Sequence, residues 1–204
     1  SLFDQMDVEI LGVIINKVID QKYEKIKEIT EKGLKRLNLK LLGVVPYKNI
    51  MEYPSMEQLR EIVEGEFITG KNNSELLVQN IIVGAMSVTH ILSIVKEDTL
   101  IITPGDREDI ILAVLSHSLS NQEGTRQNFV GIIITGNISP SVEVMKIIKN
   151  TQIPIILCPH DTFDCASQIH DLKVKIKVDN LQKIETSQNL FDEYVDYNYI
   201  LENS

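Results

Sequence analysis

Side chains and backbone groups suited to holding a small anion follow three apolar runs of the sequence. They are small, hydroxyl, amide and acidic residues with one arginine: Gly105, Asp106, Arg107, Thr135, Gly136, Asn137, Asp161 and Thr162. Glycine lets a backbone approach a ligand closely, and an arginine that reaches outward supplies positive charge. If the runs are parallel strands, their carboxyl ends meet at one edge of a sheet, where such folds bind ligands. The pattern predicts a shallow anion site at that edge.

The same loops have a second interpretation as turns and helix caps. Ser87, Asp106, Ser139 and Asp161 each precede a helical pattern, as N-cap residues do. Pro140 would then occupy the first position of a helix, where proline is common. Residue types alone do not separate capping from ligand binding, so both interpretations stay open.

Motifs for catalysis or metal binding are not recognisable in the sequence. Residues 70–73 read GKNN, without the upstream glycine or the strand–loop–helix setting of a phosphate-binding P-loop. His90 and His117 fall within predicted helices and are interpreted as structural. The acidic and histidine residues between positions 160 and 171 have spacings that fit no standard metal motif, and the two cysteines form no zinc or disulfide pattern. We therefore expect no metal, no cofactor and no catalytic residue in this chain.

Strands and helices alternate along most of the chain, and these elements must position the candidate residues. Apolar runs predict strands at 8–16, 40–46, 80–85, 99–104, 129–135 and 153–158, a short strand within 65–75, and an alternating edge strand at 174–178. Helical spacing predicts helices within 17–39, from Ser55, and at about 87–96, 106–119, 139–150, 161–170 and 180–200. Residues 118–128 have the composition of a loop. The alternation indicates an α/β fold with a mostly parallel sheet and helices on both faces.

Composition and charge exclude several classes of protein. The chain has 204 residues, 43% of them hydrophobic, with 20 Lys and Arg against 29 Asp and Glu, which gives a net charge of −9. A negative balance argues against binding to nucleic acid or to an acidic membrane surface. The apolar runs are too short to span a bilayer. We expect a cytoplasmic α/β protein that binds neither nucleic acid nor membrane.

Residues 105–115, which read GDREDIILAVL, are part of a pattern that resembles the DRTGG domain. The other parts are VGAMSVTHIL at 83–92, GIIITGNISPS at 131–141 and DTFDCASQIHDLKVKIKVDN at 161–180. The resemblance covers about residues 57–180. It implies a domain found beside CBS domains, pyrophosphatases and phosphate acetyltransferases. The segment here reads Asp106-Arg107-Glu108-Asp109 instead of the family's namesake pentapeptide, so no site residue is transferred from it.

Residues 1–56 resemble a different family. GVIINKV, followed about 25 residues later by LLGVVPY, is similar to the carboxyl-terminal half of a dethiobiotin-synthetase-like, CobB/CobQ-type P-loop domain. The resemblance implies that Asn16 contacts the adenine of a nucleotide and that Pro46 shapes the same pocket. The half that would hold phosphate and magnesium is missing from the sequence, and the first residue is not a methionine. We therefore expect a chain cut within its P-loop domain, with ATP and magnesium possible only in a longer protein.

Two functions follow as hypotheses, with domains expected at 1–56, 57–180 and 181–204. The first is a non-catalytic regulatory module of a phosphate-acetyltransferase-like protein, which binds a small anionic or nucleotide ligand or joins subunits as a homodimer. The alternative is a fragment of an ATP-dependent dethiobiotin-synthetase-like or cobyrinic-acid-diamide-synthase-like enzyme, or of a phosphate acetyltransferase. The dimer is expected from the exposed half-domain and from a terminal helix with Leu181, Ile184, Phe191, Tyr194 and Val195 on one face.

Overall fold

The computed structural model describes residues 9–120, 129–178 and 180–203, which fall into two compact units. We call Glu52–Lys175 the sheet unit, and we call Ser1–Met51 together with Ile176–Ser204 the terminal unit. The helices after residue 180, expected to stand apart, are thus grouped with the first part of the chain. Within the described ranges, no helix is long and apolar enough to cross a membrane.

The sheet unit is built on five strands in the order β3-β7-β6-β5-β4. These strands are β3 (Glu66–Thr69), β4 (Asn80–Val83), β5 (Thr99–Pro104), β6 (Phe129–Thr135) and β7 (Ile155–Leu157). Strands β4 to β7 are parallel, and β3 pairs antiparallel with β7 at the edge. The bounds of β5 and β6 are those that the sequence predicts, because both strands are fully buried runs of β-branched residues.

Helices cover both faces of this sheet, as the sequence predicts. In chain order they are α2 (Met56–Ile62), α3 (Val88–Ile94), α4 (Glu108–Ser120), α5 (Val142–Lys149) and α6 (Thr162–His170). One apolar core holds α3, α4 and α5 against alternate strand residues such as Ile101 and Ile132. The other holds α2 and α6 against the intervening residues, such as Ile102 and Ile133. The side-chain alternation of a strand separates the two cores.

Side-chain caps explain where most of these helices begin. Ser87 and Asp161 cap α3 and α6 as predicted, and Ser55 forms a reciprocal capping box with Gln58 at the start of α2. The prediction for α5 is wrong, because the cap is Ser141, whose hydroxyl accepts from Val144 N, and not Ser139. Helix α4 continues through Ser120, and the rest of the loop predicted at 118–128 lies outside the described residues.

The predicted edge strand at 174–178 is absent, and this segment runs without regular structure. The position beside β7 is already filled by β3, so no free edge remains there. Instead, the backbone carbonyl of Lys175 accepts a hydrogen bond of 2.6 Å from the Gln58 amide on α2. Val178 is 93% exposed, which shows that the alternating pattern of this segment does not reflect a buried face.

The terminal unit contains a strand–helix–strand motif followed, much later in the sequence, by two helices. Strands β1 (Val13–Val18) and β2 (Leu41–Pro46) are parallel and are joined by α1 (Tyr23–Arg36). The later helices are α7 (Leu181–Tyr194) and α8 (Tyr197–Glu202), where the sequence predicts one helix. Short 3-10 turns at Asp20–Lys22, Asn49–Glu52 and, in the sheet unit, Lys71–Asn73 complete the secondary structure.

The break between α7 and α8 covers the edge of β2 that faces away from β1. Val195 forms an antiparallel bridge with Gly43, and Asp196 N donates to the Leu42 carbonyl at 2.7 Å. The Asp196 carboxylate also accepts from Lys40 Nζ at 2.8 Å. An unpaired strand edge exposes backbone groups that attract other chains, so these contacts protect β2.

The predicted apolar face of the terminal helix is only partly buried. Val195 is buried, whereas Leu181 is 75% exposed and Phe191 is 39% exposed. A fully buried side chain in this segment is that of Lys183, whose Nζ donates to the Met51 carbonyl at 3.4 Å. Burial lowers the pKa of Lys183 below its ordinary value, because it penalises the charged form.

Candidate functional site

The carboxyl ends of β4, β5, β6 and β7 lie side by side, because the four strands are parallel neighbours. The chain leaves β6 for α5 on one face of the sheet and leaves β7 for α6 on the other. Adjacent strands whose connections diverge in this way mark the usual ligand position of open α/β sheets. We call this edge, with residues 84–87, 105–109, 135–141 and 158–162, the rim.

Three hydrogen bonds join the loops after β6 and β7 at this point of divergence. The hydroxyls of Thr135 and Thr162 are 2.7 Å apart, and Gly136 N donates to the His160 carbonyl at 2.7 Å. Asn137 N donates to the Cys158 carbonyl at 3.0 Å. Gly136 and Asn137 both have positive φ, a turn that glycine and asparagine tolerate best. The predicted residues of these two loops are therefore brought together.

Arg107 joins the loops after β4 and β5. The sequence predicts that its side chain reaches outward into solvent, but the guanidinium is held by contacts within the protein. Its Nη1 donates to the Gly84 carbonyl at 3.2 Å, and its Nη2 donates to the Met86 carbonyl at 3.1 Å. Its Nε and Nη2 also donate to the two carboxylate oxygens of Asp109, both at 2.9 Å. The hydrogen bonds of this forked pair raise the pKa of Arg107 and lower the pKa of Asp109.

Gly105 connects the loop after β5 to the loop after β6. It is buried, and a Cβ placed on it would overlap the backbone carbonyl oxygen of Ile138. A second link lies beside it, where the Glu108 carboxylate accepts a hydrogen bond from Ser141 N. The close backbone approach explains why glycine stands at this position.

The charge of the rim differs from the sequence expectation. The rim has one arginine and four carboxylates, and three of the carboxylates already accept hydrogen bonds: Glu108 from Ser141, Asp109 from Arg107 and Asp161 from Asp164 N. Asp106 is exposed. Asp109 therefore neutralises the arginine of the rim, and any attraction for an anion is weak at long range.

Asp109 and Glu108 are the rim residues that the sequence analysis did not single out. Both lie in the first turn of α4, where acidic residues are common for reasons of helix electrostatics alone. The spacing of Arg107 and Asp109 gives no sign of their pairing. The fork forms because the guanidinium, held by the Gly84 and Met86 carbonyls, also contacts the Asp109 carboxylate.

Asn16 and Pro46 lie near the carboxyl ends of the neighbouring strands β1 and β2 in the terminal unit. Pro46 pairs in register with Val18, and the pairing shifts by one residue between Ile15 and Val18. Lys17 takes a positive φ at this irregularity, and its N–H donates to the exposed Asn16 carboxamide oxygen at 2.8 Å.

The remaining histidine, cysteine and acidic residues form no metal-binding cluster in the described ranges. No cluster of three or more histidine, cysteine or acidic side chains in those ranges could hold a metal ion. Cys158 and Cys165 are buried free thiols, and burial raises the pKa of each. Protonated thiols are poor nucleophiles and poor metal ligands.

Similar sequences are phosphate acetyltransferases. The chain is 28% identical over 201 residues to the enzyme of Nitratidesulfovibrio vulgaris, covering 96% of this chain and 28% of that protein. It is 30% identical over 200 residues to the enzyme of Synechocystis, covering 95% and 28%. It is 27% identical over 186 residues to the enzyme of Pseudomonas putida, covering 88% and 26%. The chain thus spans little more than a quarter of the length of these relatives.

Among solved structures, the chain is similar to the CBS and DRTGG domains of the regulatory region of Clostridium perfringens pyrophosphatase, crystallised with the activator diadenosine tetraphosphate. The identity is 15%, the TM-score is 0.47, and the match covers 90% of this chain and 88% of that one. This likeness is too weak to carry a conclusion. The profile of the DRTGG domain, in contrast, matches residues 58–172, which are more than half of the chain and confirm the resemblance noted in the sequence. The chain therefore belongs to the DRTGG domain family.

Proposed function

We propose that this chain is a non-catalytic regulatory module of a phosphate-acetyltransferase-like protein and that its rim binds a small anionic ligand or a nucleotide. The observation that carries the proposal is the divergence of the β6 and β7 connections to opposite faces of the sheet. In open α/β sheets, such a divergence is the usual position of a bound ligand. Membership of the DRTGG family and similarity to phosphate acetyltransferases over nearly the whole chain support this context.

The ligand would contact the rim through a small number of donors. Arg107 has five N–H groups, and its contacts with the described residues leave one Nη1 N–H without an acceptor. The Thr135–Thr162 hydroxyl pair offers a further donor once one hydroxyl rotates. With so few contacts and four neighbouring carboxylates, we expect a Kd on the order of millimolar for inorganic phosphate.

Replacement of Arg107 tests the rim as an anion site. Phosphate or ATP, added at constant ionic strength, should raise the thermal unfolding midpoint of the parent protein and should not raise that of Arg107→Ala. Arg107→Lys keeps the charge but not the planar fork, so we expect an intermediate response. Equal stabilisation of all three proteins by phosphate would contradict the site.

The alternative, a fragment of an ATP-dependent enzyme, rests on the position of Asn16 and Pro46 at the ends of adjacent parallel strands. It predicts magnesium-dependent ATP turnover that Asn16→Ala abolishes. Phosphoryl transfer needs a cradle of backbone amides, a lysine and a magnesium ligand around the phosphates. Because the sequence has no such motif, we expect the chain to hydrolyse no ATP in an assay of phosphate release.

We also propose that the chain forms a two-fold homodimer. Leu181 and Phe191 on α7 leave apolar surface exposed, and such surface is often covered by a second copy. Light scattering at micromolar concentration should give twice the mass of the chain, and Phe191→Asp should give the mass of the monomer. A monomer mass for the parent protein over a wide concentration range would exclude the dimer.

A further inference from the structure

The pairing of Arg107 with Asp109 has the geometry of arginine with a bound oxyanion. Two parallel N–H···O contacts of 2.9 Å join Nε and Nη2 to the two carboxylate oxygens. This fork is how arginine recognises carboxylate and phosphate ligands. The Arg107 side chain is 31% exposed and the Asp109 side chain is 52% exposed, so a ligand could reach the pair from solvent.

The guanidinium has supports that do not depend on Asp109. Its Nη1 and Nη2 donate to the carbonyls of Gly84 and Met86 in the loop after β4. If Asp109 turned away, these two contacts would still hold the guanidinium at the rim, with its Nε edge open. Asp109 lies in the first turn of α4 and accepts no other side-chain hydrogen bond among the described residues.

We infer that Asp109 occupies the Arg107 fork in place of the ligand and thereby determines which anions the rim accepts. This inference rests on the proposed function of the rim. An incoming anion must displace a carboxylate that is held two residues away at high effective concentration. A phosphate group near neutral pH carries a charge of about −1.5 to −2 and three acceptor oxygens, whereas a carboxylate ligand carries one charge. Asp109 therefore selects phosphate-bearing ligands and rejects simple carboxylates.

The experiment compares phosphate and acetate binding to the parent protein and to Asp109→Asn by calorimetric titration. Removing the competing carboxylate should lower the Kd for phosphate roughly tenfold and should make acetate binding measurable. Asp106→Asn is the matched control, because it removes the same charge from the same loop without freeing the fork. We expect at most about a twofold gain from it, since the charge is exposed and screened.

The outcomes separate this inference from the proposed function. Suppose that Arg107→Ala abolishes phosphate binding but Asp109→Asn binds phosphate no more tightly than Asp106→Asn does. The rim is then an anion site, and the inference that Asp109 competes with the ligand is wrong. If neither the parent protein nor Asp109→Asn binds phosphate, the proposed function fails as well. Asp109→Ala repeats the measurement without a residual carboxamide oxygen, and unchanged unfolding midpoints confirm that both variants fold.

Discussion

Gly105→Ala is expected to destabilise the sheet unit by about 3 kcal/mol, at the upper end of the range for overpacking. The added methyl group would overlap the Ile138 carbonyl oxygen and would lie 3.2 Å from Ile134 Cγ2. A backbone oxygen cannot rotate away as a flexible side chain can. The loops after β5 and β6 must therefore separate, which would also move the Glu108–Ser141 contact.

Amide hydrogen exchange in urea measures this effect separately in the two units. Exchange of the β5 and β6 amides should accelerate in Gly105→Ala, while that of the α1 amides should stay unchanged. Gly33→Ala is the matched control, since nothing lies within 4 Å of a Cβ at this position in α1. It should stabilise the terminal unit by roughly 0.5–1 kcal/mol through helix propensity. A parent-like exchange rate for Gly105→Ala would show that the two loops are not in contact.

Lys183→Met is expected to stabilise the terminal unit, because it replaces a buried charge with an apolar side chain of similar length. The Lys183 side chain is fully buried, and among the described residues its Nζ has the Met51 carbonyl as its acceptor. Replacing buried ionic groups by apolar ones of similar volume typically gains roughly 1–4 kcal/mol. Urea unfolding of the two proteins near neutral pH measures the difference. The exposed Lys25→Met is the control, and its effect should stay within about 0.5 kcal/mol.

The pH dependence of this gain follows from the lowered pKa of Lys183. Between the folded-state pKa and the ordinary value of 10.5, the unfolded chain binds more protons than the folded one. The free energy of unfolding of the parent protein therefore rises with pH through that window and falls as the pH is lowered. The advantage of Lys183→Met should be largest near neutral pH and should shrink as the pH approaches 10.5. If the difference in the free energy of unfolding between the parent protein and Lys183→Met does not change with pH, the Lys183 ammonium group is not buried in the folded protein.

The fold of the sheet unit could be predicted because its strands carry a strong local signal. A run such as Phe129–Thr135 is buried along its whole length, so composition and burial agree. The segment at 174–178 alternates apolar residues and lysines equally well, yet it is not a strand. Strand pairing depends on the tertiary surroundings of a segment, and here β3 is the strand that lies beside β7. The alternation of a single segment carries no information about those surroundings.

The candidate site could be predicted only as a set of loops. The α/β alternation places Thr135 and Thr162 at the same edge, and the structure joins their hydroxyls. The hydrogen-bond partners of Arg107 could not be predicted from the sequence, because they depend on side-chain directions at the first turn of α4. The sequence likewise does not predict the burial of Lys183, since lysine is rarely fully buried in proteins.

The cover over the edge of β2 has a consequence for synthesis of the chain. Lys40 and Asp196 are 156 positions apart, so the ribosome must add the whole sheet unit before the segment that protects β2 exists. During translation, Glu52–Lys175 can fold as an uninterrupted stretch. Until Val195 and Asp196 have been added, the edge of β2 that they cover stays unpaired. An open strand edge in a nascent chain is a site of aggregation. Strands β1 and β2 are thus made before the sheet unit and are completed only after it.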